Sequence, residues 1–279
     1  MEQLERNPQH LDVKKVFYEK NPRMAKWLPG IVFWTIRKII HEKEINRVLK
    51  EYGDKQGAAF ADHLVSDFKI TFDIKGIENL PKKQDVIIVS NHPLGGFDGM
   101  VLLSVLNPYF PGMFEVVNDL LMNLRNMEGT FIPVNKHGSN SKMNAVKLND
   151  AYATGRAVLT FPAGMVSRKI NGEIVDLEWK KSIISKSLEY KRDFVPIYFE
   201  GRNTKLFYLI CWLRKALRIK TNLEMFFLPH ELFMQKNKHF KITIKELIPY
   251  NTIETTNNQL YWAQEIKKKV YQLKENKKK

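Results

Sequence analysis

The amino-acid sequence predicts an α/β fold in which helices cover a mainly parallel or mixed central sheet. From about residue 70, short apolar runs rich in β-branched and aromatic residues alternate with longer helical stretches. The chain has 279 residues, of which 44% are hydrophobic, so a single large domain can bury a sizeable core. The part before residue 70 shows no alternation of strands with helices and is predicted to be mainly helical.

Within the α/β part, the predicted elements follow one another in a regular order. The predicted strands are Val86–Ser90, Phe131–Val134, Ala157–Phe161, Phe194–Phe199 and Phe240–Ile244. The predicted helices are Gly99–Leu106, Ser141–Thr154, Ser182–Lys191 and Leu260–Lys274, and a basic tail follows the last of them. Because helices separate most of the strands, we expect a sheet that is mainly parallel or mixed.

The N-terminal part is predicted to form an amphipathic helix over residues 22–52. Its tryptophans, Trp27 and Trp34, stand close to Lys26 and Lys38. This composition is typical of a helix at a membrane interface, where the rings lie among the headgroups and the cations face anionic lipid. The alternative is a helix that packs its apolar face on its own domain.

A second candidate for a membrane contact lies over residues 206–220. Leu206, Ile210, Leu213 and Leu217 fall on one helical stripe, and basic residues cluster at its end. The alternative is a helix buried in the domain core. No apolar run in the sequence reaches the roughly 18–20 residues that cross a bilayer. We therefore expect a peripheral or monotopic contact, and we divide the chain into an N-terminal helical, membrane-associating segment (1–65) and an α/β domain with a C-terminal helix and basic tail (66–279).

The net charge of +15 favours an anionic partner, either an anionic membrane surface or a nucleic acid. No aromatic RNA-binding motif or zinc finger is visible, so we expect a membrane and no nucleic acid. A non-enzymatic nucleic-acid-binding protein stays as a remote alternative. The single cysteine, Cys211, excludes an intrachain disulfide, and the scattered histidines predict no metal site.

The most informative segment runs from Ser90 to Gly99 (SNHPLGGFDG). A buried strand ends, a glycine-rich turn follows and a helix begins, which places His92 at the carboxyl end of a strand, where open α/β sheets bind ligands. The two glycines allow Asp98 to return toward His92. A histidine oriented by a carboxylate is a general base. The alternatives are an N-capping role for Asp98 and a turn role for His92.

No serine or cysteine nucleophile accompanies this pair, because the sequence holds no Gly-x-Ser-x-Gly motif and Cys211 stands in an apolar run. A His–Asp pair alone suits the activation of a hydroxyl group on the substrate itself.

The segment resembles the glycerolipid and lysophospholipid acyltransferases, whose hallmark is Asn-His followed closely by Asp. Three later blocks of that family follow in order, and the resemblance covers roughly residues 70–205. They are Gly129–Lys136 (GTFIPVNK), Phe161–Arg168 (FPAGMVSR) and Val195–Ile197 (VPI). The resemblance implies that His92 and Asp98 are catalytic, that an acyl group moves from a thioester to a hydroxyl, and that no cofactor is bound.

Three departures from the common pattern point to one branch of the family. Five residues separate His92 from Asp98 where four are common, Ala163 stands in place of a glutamate, and Lys136 in place of an arginine. This form resembles the hemolysin-like O-acyltransferases of bacterial aminolipid synthesis. They acylate the hydroxyl of an N-(3-hydroxyacyl) amino acid to make ornithine or glycine lipids. A lysophosphatidate acyltransferase of phospholipid synthesis is the alternative.

An aminolipid acceptor carries a carboxylate, so cations are expected beside His92. Arg168 is the first choice, Lys136 the second and Arg202 the third. Asn91, Pro162 and Gly164 complete the predicted substrate-binding residues, and main-chain N–H groups near Gly164 or in the glycine turn are candidate oxyanion donors. The expected donor is acyl-ACP or acyl-CoA, used on the cytoplasmic face of the inner membrane.

Overall fold

The computed structural model of the chain describes residues 10–20, 22–118, 121–134, 141–219, 222–254 and 258–274. The helices are α1 (Val13–Lys20), α2 (Pro22–Trp27), α3 (Gly30–Ile39), α4 (Glu42–Tyr52), α5 (Gly57–Asp67), α6 (Phe97–Leu106), α7 (Ser141–Ala153), α8 (Ser182–Tyr190), α9 (Lys205–Ala216), α10 (Leu228–Phe233) and α11 (Gln259–Tyr271). The strands are β1 (Thr71–Lys75), β2 (Ile87–Ser90), β3 (Phe114–Val117), β4 (Phe131–Pro133), β5 (Val158–Thr160), β6 (Arg168–Ile170), β7 (Glu173–Val175), β8 (Phe194–Glu200) and β9 (His239–Ile244).

Seven strands form a central sheet in the order β1-β9-β8-β2-β5-β3-β4. Every neighbouring pair is parallel except β8 and β9, so β1 and β9 run opposite to the other five strands. β6 and β7 form a separate antiparallel hairpin. The predicted α/β fold with a mainly parallel or mixed sheet is confirmed.

The continuous apolar run of β2 follows from burial on both faces of the sheet. Ile88 belongs to a core under α5 and α6, which contains Phe60 and Leu102. Ile87 points to the opposite core, under α8 and α11, which contains Ile184. Successive side chains of a strand face opposite sides, so one short strand joins the two cores.

The N-terminal helices differ from the single helix predicted over residues 22–52. Pro29 has an extended backbone (φ −60°, ψ 149°) directly before α3, where its ring fixes φ and it lacks an N–H. His41 adopts φ 55° and separates α3 from α4. The boundary near residue 65 stays a prediction, and Phe60 and Leu64 of α5 lie in the same core as the sheet.

Two helical surfaces expose large apolar side chains. On α2 and α3, Trp27 is 88% exposed and Trp34 56% exposed, while Phe33 of α3 is buried. On α9 and just after it, Leu206, Leu209, Trp212, Leu213 and Leu217 are exposed. Within the described ranges, no helix is long and apolar enough to cross a membrane.

Candidate active site

His92 follows β2 at the edge of the sheet where the five parallel strands end. The chain then turns sharply through Gly95 and Gly96, with φ 74° and 129°, before α6 begins. A Cβ atom on Gly95 would lie 2.4 Å from Val166 and 2.8 Å from Leu228, so only glycine fits this turn. The turn therefore brings Asp98, in the first turn of α6, back against His92.

The side chains of His92 and Asp98 form a hydrogen-bonded pair, with 3.1 Å between His92 Nδ1 and Asp98 Oδ2. The Asp98 carboxylate also accepts the main-chain N–H groups of Leu94, Gly96 and Gly99 at 2.9, 3.1 and 3.0 Å. Asp98 is fully buried, whereas the His92 side chain is 16% exposed. The carboxylate is thus fixed on both oxygens, and one edge of the histidine ring stays reachable.

This environment shifts the pKa values of both partners. Burial alone would lower the pKa of His92, but the Asp98 carboxylate, its hydrogen bond and the Asp176 carboxylate outweigh it and raise that pKa. Burial would raise the pKa of Asp98, yet the His92 ring and the N–H groups of Leu94 and Gly96 hold it below its ordinary value. The geometry therefore favours an ionised Asp98 beside a histidine that accepts protons readily.

The third block follows β5, the neighbour of β2, and closes over the histidine. The ring of Phe161 stacks on the His92 ring with centroids 4.2 Å apart. Pro162 is buried and its carbonyl accepts the Lys180 N–H at 3.0 Å, whereas Gly164 is exposed. The Gly164 N–H donates to the Phe161 carbonyl at 2.9 Å, so this N–H is already engaged and is not free for an oxyanion.

Asn91 lies beside the end of β8, and Arg202 follows that strand in the next loop. The Asn91 amide donates to the Phe199 carbonyl at 2.9 Å and accepts the Phe199 N–H at 2.7 Å. Its side chain therefore joins the turn that holds His92 and Asp98 to β8. Arg202 is exposed in the loop after β8. Nearby Asn203 is 5% exposed, and its side-chain amide atoms have no hydrogen-bond partner.

Arg168 is buried and shares a carboxylate with a second arginine. Its guanidinium donates to Glu224 at 2.8 Å and to the Val166 carbonyl at 2.8 Å. Arg214 of α9 forms an ion pair with the other Glu224 oxygen at 2.8 Å. Glu224 is fully buried, so the three side chains carry one net positive charge beside the third block. Lys136 lies outside the described residues.

Three acidic or basic side chains at this edge were not predicted from the sequence. Asp176 contacts the main chain of His92. The Lys180 ammonium lies 2.2 Å from where a Cβ of Gly164 would stand. Glu115 of β3 lies against Gly99, is 2% exposed, and has one carboxyl oxygen without a partner. No short motif contains them, because each reaches the site from a distant part of the chain.

Together these features define a class of protein. Within the described ranges, no serine or cysteine hydrogen-bonds to the ring of His92. A His–Asp pair at the carboxyl edge of an α/β sheet, with a buried positive charge beside it, suits the activation of a hydroxyl on an anionic substrate. The sequence model of the Acyltransferase family matches residues 15–278. The chain belongs to this family and is an acyltransferase, which confirms the predicted family and reaction class.

Two curated bacterial relatives share a large part of the sequence. The lyso-glycine lipid O-acyltransferase of Bacteroides thetaiotaomicron is 40% identical over 264 residues, which cover 94% of this chain and 97% of the relative. That of Phocaeicola vulgatus is 39% identical over 264 residues and covers 94% and 95%. The crystal structure of a 1-acyl-sn-glycerophosphate acyltransferase from Thermotoga maritima resembles the fold, with a TM-score of 0.50, 16% identity, and coverage of 94% of this chain and 91% of that one.

Proposed function

We propose that this protein transfers a fatty acyl group from a thioester donor to the hydroxyl of a lyso-aminolipid, in the first place a lyso-glycine lipid, at a membrane surface. The His92–Asp98 pair carries the proposal for the chemistry, because it supplies an oriented base and no protein nucleophile. The two lyso-glycine lipid O-acyltransferases, at 40% and 39% identity, support the acceptor. The alternative acceptor, lysophosphatidate, is supported only by the similarity of fold to the Thermotoga maritima enzyme.

The geometry supports a direct attack of the acceptor hydroxyl on the thioester. Because the ionised Asp98 can only accept, His92 carries its proton on Nδ1 and uses Nε2 as the base. Nε2 takes the hydroxyl proton as the oxygen bonds to the thioester carbon. The carbon–sulfur bond then breaks, and the imidazolium returns the proton to the departing thiolate. Four hydrogen bonds hold the charge on Asp98, so the proton stays on His92 between these steps.

The buried charges at the third block support an anionic acceptor. Arg168 and Arg214 face one carboxylate, Glu224, and the remaining positive charge suits the acceptor's carboxylate at close range. Arg202 and Lys136 are the further candidates for this contact. Pro162 and Gly164 precede Arg168 in the third block and are further candidates for contact with the acceptor. Asn91 acts through the main chain of β8, since both ends of its amide are bound there.

The exposed apolar surfaces support docking on an anionic membrane. His41, directly after α3, contacts His230 of α10 at 2.9 Å between ring nitrogens, and Leu228 of α10 lies against Gly95 of the catalytic turn. α9 starts in the loop that follows β8. The C-terminal end of α3 and the start of α9 thus lie near the edge that holds His92. Exposed apolar side chains flanked by cations suit a headgroup interface. The thioester donor, acyl-ACP or acyl-CoA, implies the cytoplasmic face of the inner membrane.

The decisive test offers the purified protein two acceptors in parallel, with acyl-ACP and acyl-CoA as donors. N-(3-hydroxyacyl)glycine is expected to be acylated on its hydroxyl, lysophosphatidate is expected to react slowly or not at all, and His92→Ala is expected to stop the reaction. Product from lysophosphatidate alone would move the protein to phospholipid synthesis. Full activity of His92→Ala would remove the proposed base.

A further inference from the structure

A ring of hydrogen bonds joins the main chain of His92 to Ser167 of the third block and to Asp176, which lies outside the four blocks. The His92 N–H donates to Asp176 Oδ1 at 3.2 Å, and the His92 carbonyl accepts the Ser167 N–H at 2.8 Å. The Ser167 hydroxyl donates to the same Asp176 oxygen at 2.6 Å, which closes the ring. His92 therefore cannot shift along its backbone without breaking a contact to Asp176 or Ser167.

Asp176 is itself fixed from several directions. It is 2% exposed, and its second carboxyl oxygen accepts the indole N–H of the buried Trp179 at 2.8 Å. From α11, the Tyr271 hydroxyl lies 2.7 Å from the Asp176 N–H, and the Lys267 ammonium donates to the Asp176 carbonyl at 2.8 Å. A residue held this firmly can define the position of the group it contacts.

The charge of Asp176 also acts on the histidine ring. Among the described residues, the charged groups that influence His92 are Asp98 in α6, Asp176 after β7 and Arg168 in β6. Asp98 and Asp176 favour the imidazolium, whereas Arg168 opposes it. Because Asp176 touches the main chain of His92, its effect on the ring is expected to be smaller than that of Asp98.

We propose that Asp176 is a positioning residue of this active site. Through the ring with Ser167 it fixes the backbone of His92, and through its buried negative charge it stabilises the protonated histidine that forms during transfer. The inference rests on the proposed role of His92 as general base and extends that function to a residue 84 positions away in the sequence.

The test separates the charge of Asp176 from its hydrogen bonds. In Trp179→Phe, one Asp176 oxygen loses its donor, and the carboxylate stays charged and bonded to His92 and Ser167. In Trp179→Phe/Asp176→Asn, the amide nitrogen can occupy that donor-free position, so the contacts to His92 and Ser167 remain while the charge is lost. The two variants form a matched pair, and kcat/KM is measured for each as a function of pH.

We expect the acid limb of kcat/KM to lie about 0.5–1 pH unit lower in the double variant than in Trp179→Phe. This shift is smaller than the roughly 1–3 pKa units that an opposite charge in direct contact produces. We expect kcat of the double variant to fall by about three- to tenfold, because losing 0.5–1 pK unit of stabilisation of the protonated histidine corresponds to about that factor in rate, while both KM values stay within about twofold. Ser167→Ala, which opens the ring and keeps the charge, is expected to lower kcat without moving the limb.

An acid limb at the same pH in both variants would overturn the inference. If the Trp179→Phe background does not fold, Asp176→Asn in the otherwise unchanged protein is compared with wild type, and only the pH of the acid limb is read, because the new amide nitrogen then meets the Trp179 indole N–H. His92→Ala distinguishes a failure of the inference about Asp176 from a failure of the proposed function. Loss of activity in His92→Ala with an unmoved limb in the Asp176 variant refutes this inference alone, whereas an active His92→Ala refutes the proposed function.

Discussion

The exposed tryptophans of α2 and α3 allow the proposed membrane contact to be tested with one double variant, Trp27→Ala/Trp34→Ala. Both rings face solvent, at 88% and 56% exposure, so their removal leaves the core unchanged. A fold built around the buried Phe33 is expected to survive. The substitution therefore isolates the affinity for lipid from the stability of the domain.

The expected magnitude follows from the exposed area of the two rings. A tryptophan side chain offers about 250 Å², so the exposed parts together present about 350 Å². At about 25 cal/mol per Å², complete burial would contribute about 9 kcal/mol. A helix that lies at the interface buries one face only, so we take about a third, or 3 kcal/mol. At 1.4 kcal/mol for each factor of ten, vesicle binding should weaken about 100-fold.

The assay is co-sedimentation with anionic vesicles over a range of lipid concentrations. Tyr109→Ala is the matched control, because Tyr109 is exposed and its carbonyl accepts the Gln84 side chain, just before the start of β2 and opposite the active-site edge. The control should bind like wild type. If the affinity of the double variant for vesicles falls by less than about threefold, the proposed contact through α2 and α3 is refuted. Such a change is below the about 1.4 kcal/mol that corresponds to a factor of ten.

Four further outcomes follow from the site. His92→Ala should lower kcat by about 10²–10⁴-fold, the usual contribution of general acid–base catalysis, with an unchanged circular dichroism spectrum; marked unfolding would contradict the placement of His92 at a site. Because the pKa of His92 is raised, its deprotonation should place the acid limb of kcat/KM above pH 6.5, and Asp98→Asn should move that limb to lower pH, as a pH–rate profile would show. Burial and the Asp98 charge raise the pKa of Glu115 well above 4.5. The free energy of unfolding of wild type should therefore fall as pH rises from about 4.5 toward that pKa, whereas that of Glu115→Gln should not show this fall. If the melting temperatures of the two proteins change in parallel from about pH 5 to 9, this expectation is excluded. Arg168→Ala should raise the KM of the acceptor more than that of the donor in initial-rate measurements, and an equal change in both would reassign Arg168.

The local sequence was sufficient to predict the strands that are buried on both faces of the sheet. β2, β5 and β8 are short apolar runs, which burial under helices on each side requires. β1 alternates between exposed and partly exposed positions, and Glu115 interrupts the apolar run of β3, so neither gave a strand signal. The break at His41 was equally hidden, because a left-handed conformation in a residue other than glycine has no sequence signature.

The contact between His92 and Asp98 was predictable because both residues lie on one turn. The residues that contact this turn and Arg168 from elsewhere in the chain were not predictable, because these contacts are tertiary. Asp176 reaches His92 from the segment between the third and fourth blocks, and Glu224 reaches Arg168 from beyond the last block. Spacing rules describe residues on one element, whereas these contacts arise only when the hairpin β6–β7 and helix α9 fold against the sheet edge.

The order of the strands also bears on how such an enzyme can change. The first, third and fourth blocks lie on or directly after the neighbouring strands β2, β5 and β8, while the second contains β4, three strand spacings from β2. At about 4.8 Å per spacing, that is roughly 14 Å. The proposed base and the second block, which carries the predicted contact Lys136, therefore belong to separate parts of one edge. Substitutions at the β4 end leave the turn of His92 and Asp98 untouched, so under the proposed function the choice of lipid can change without rebuilding that turn.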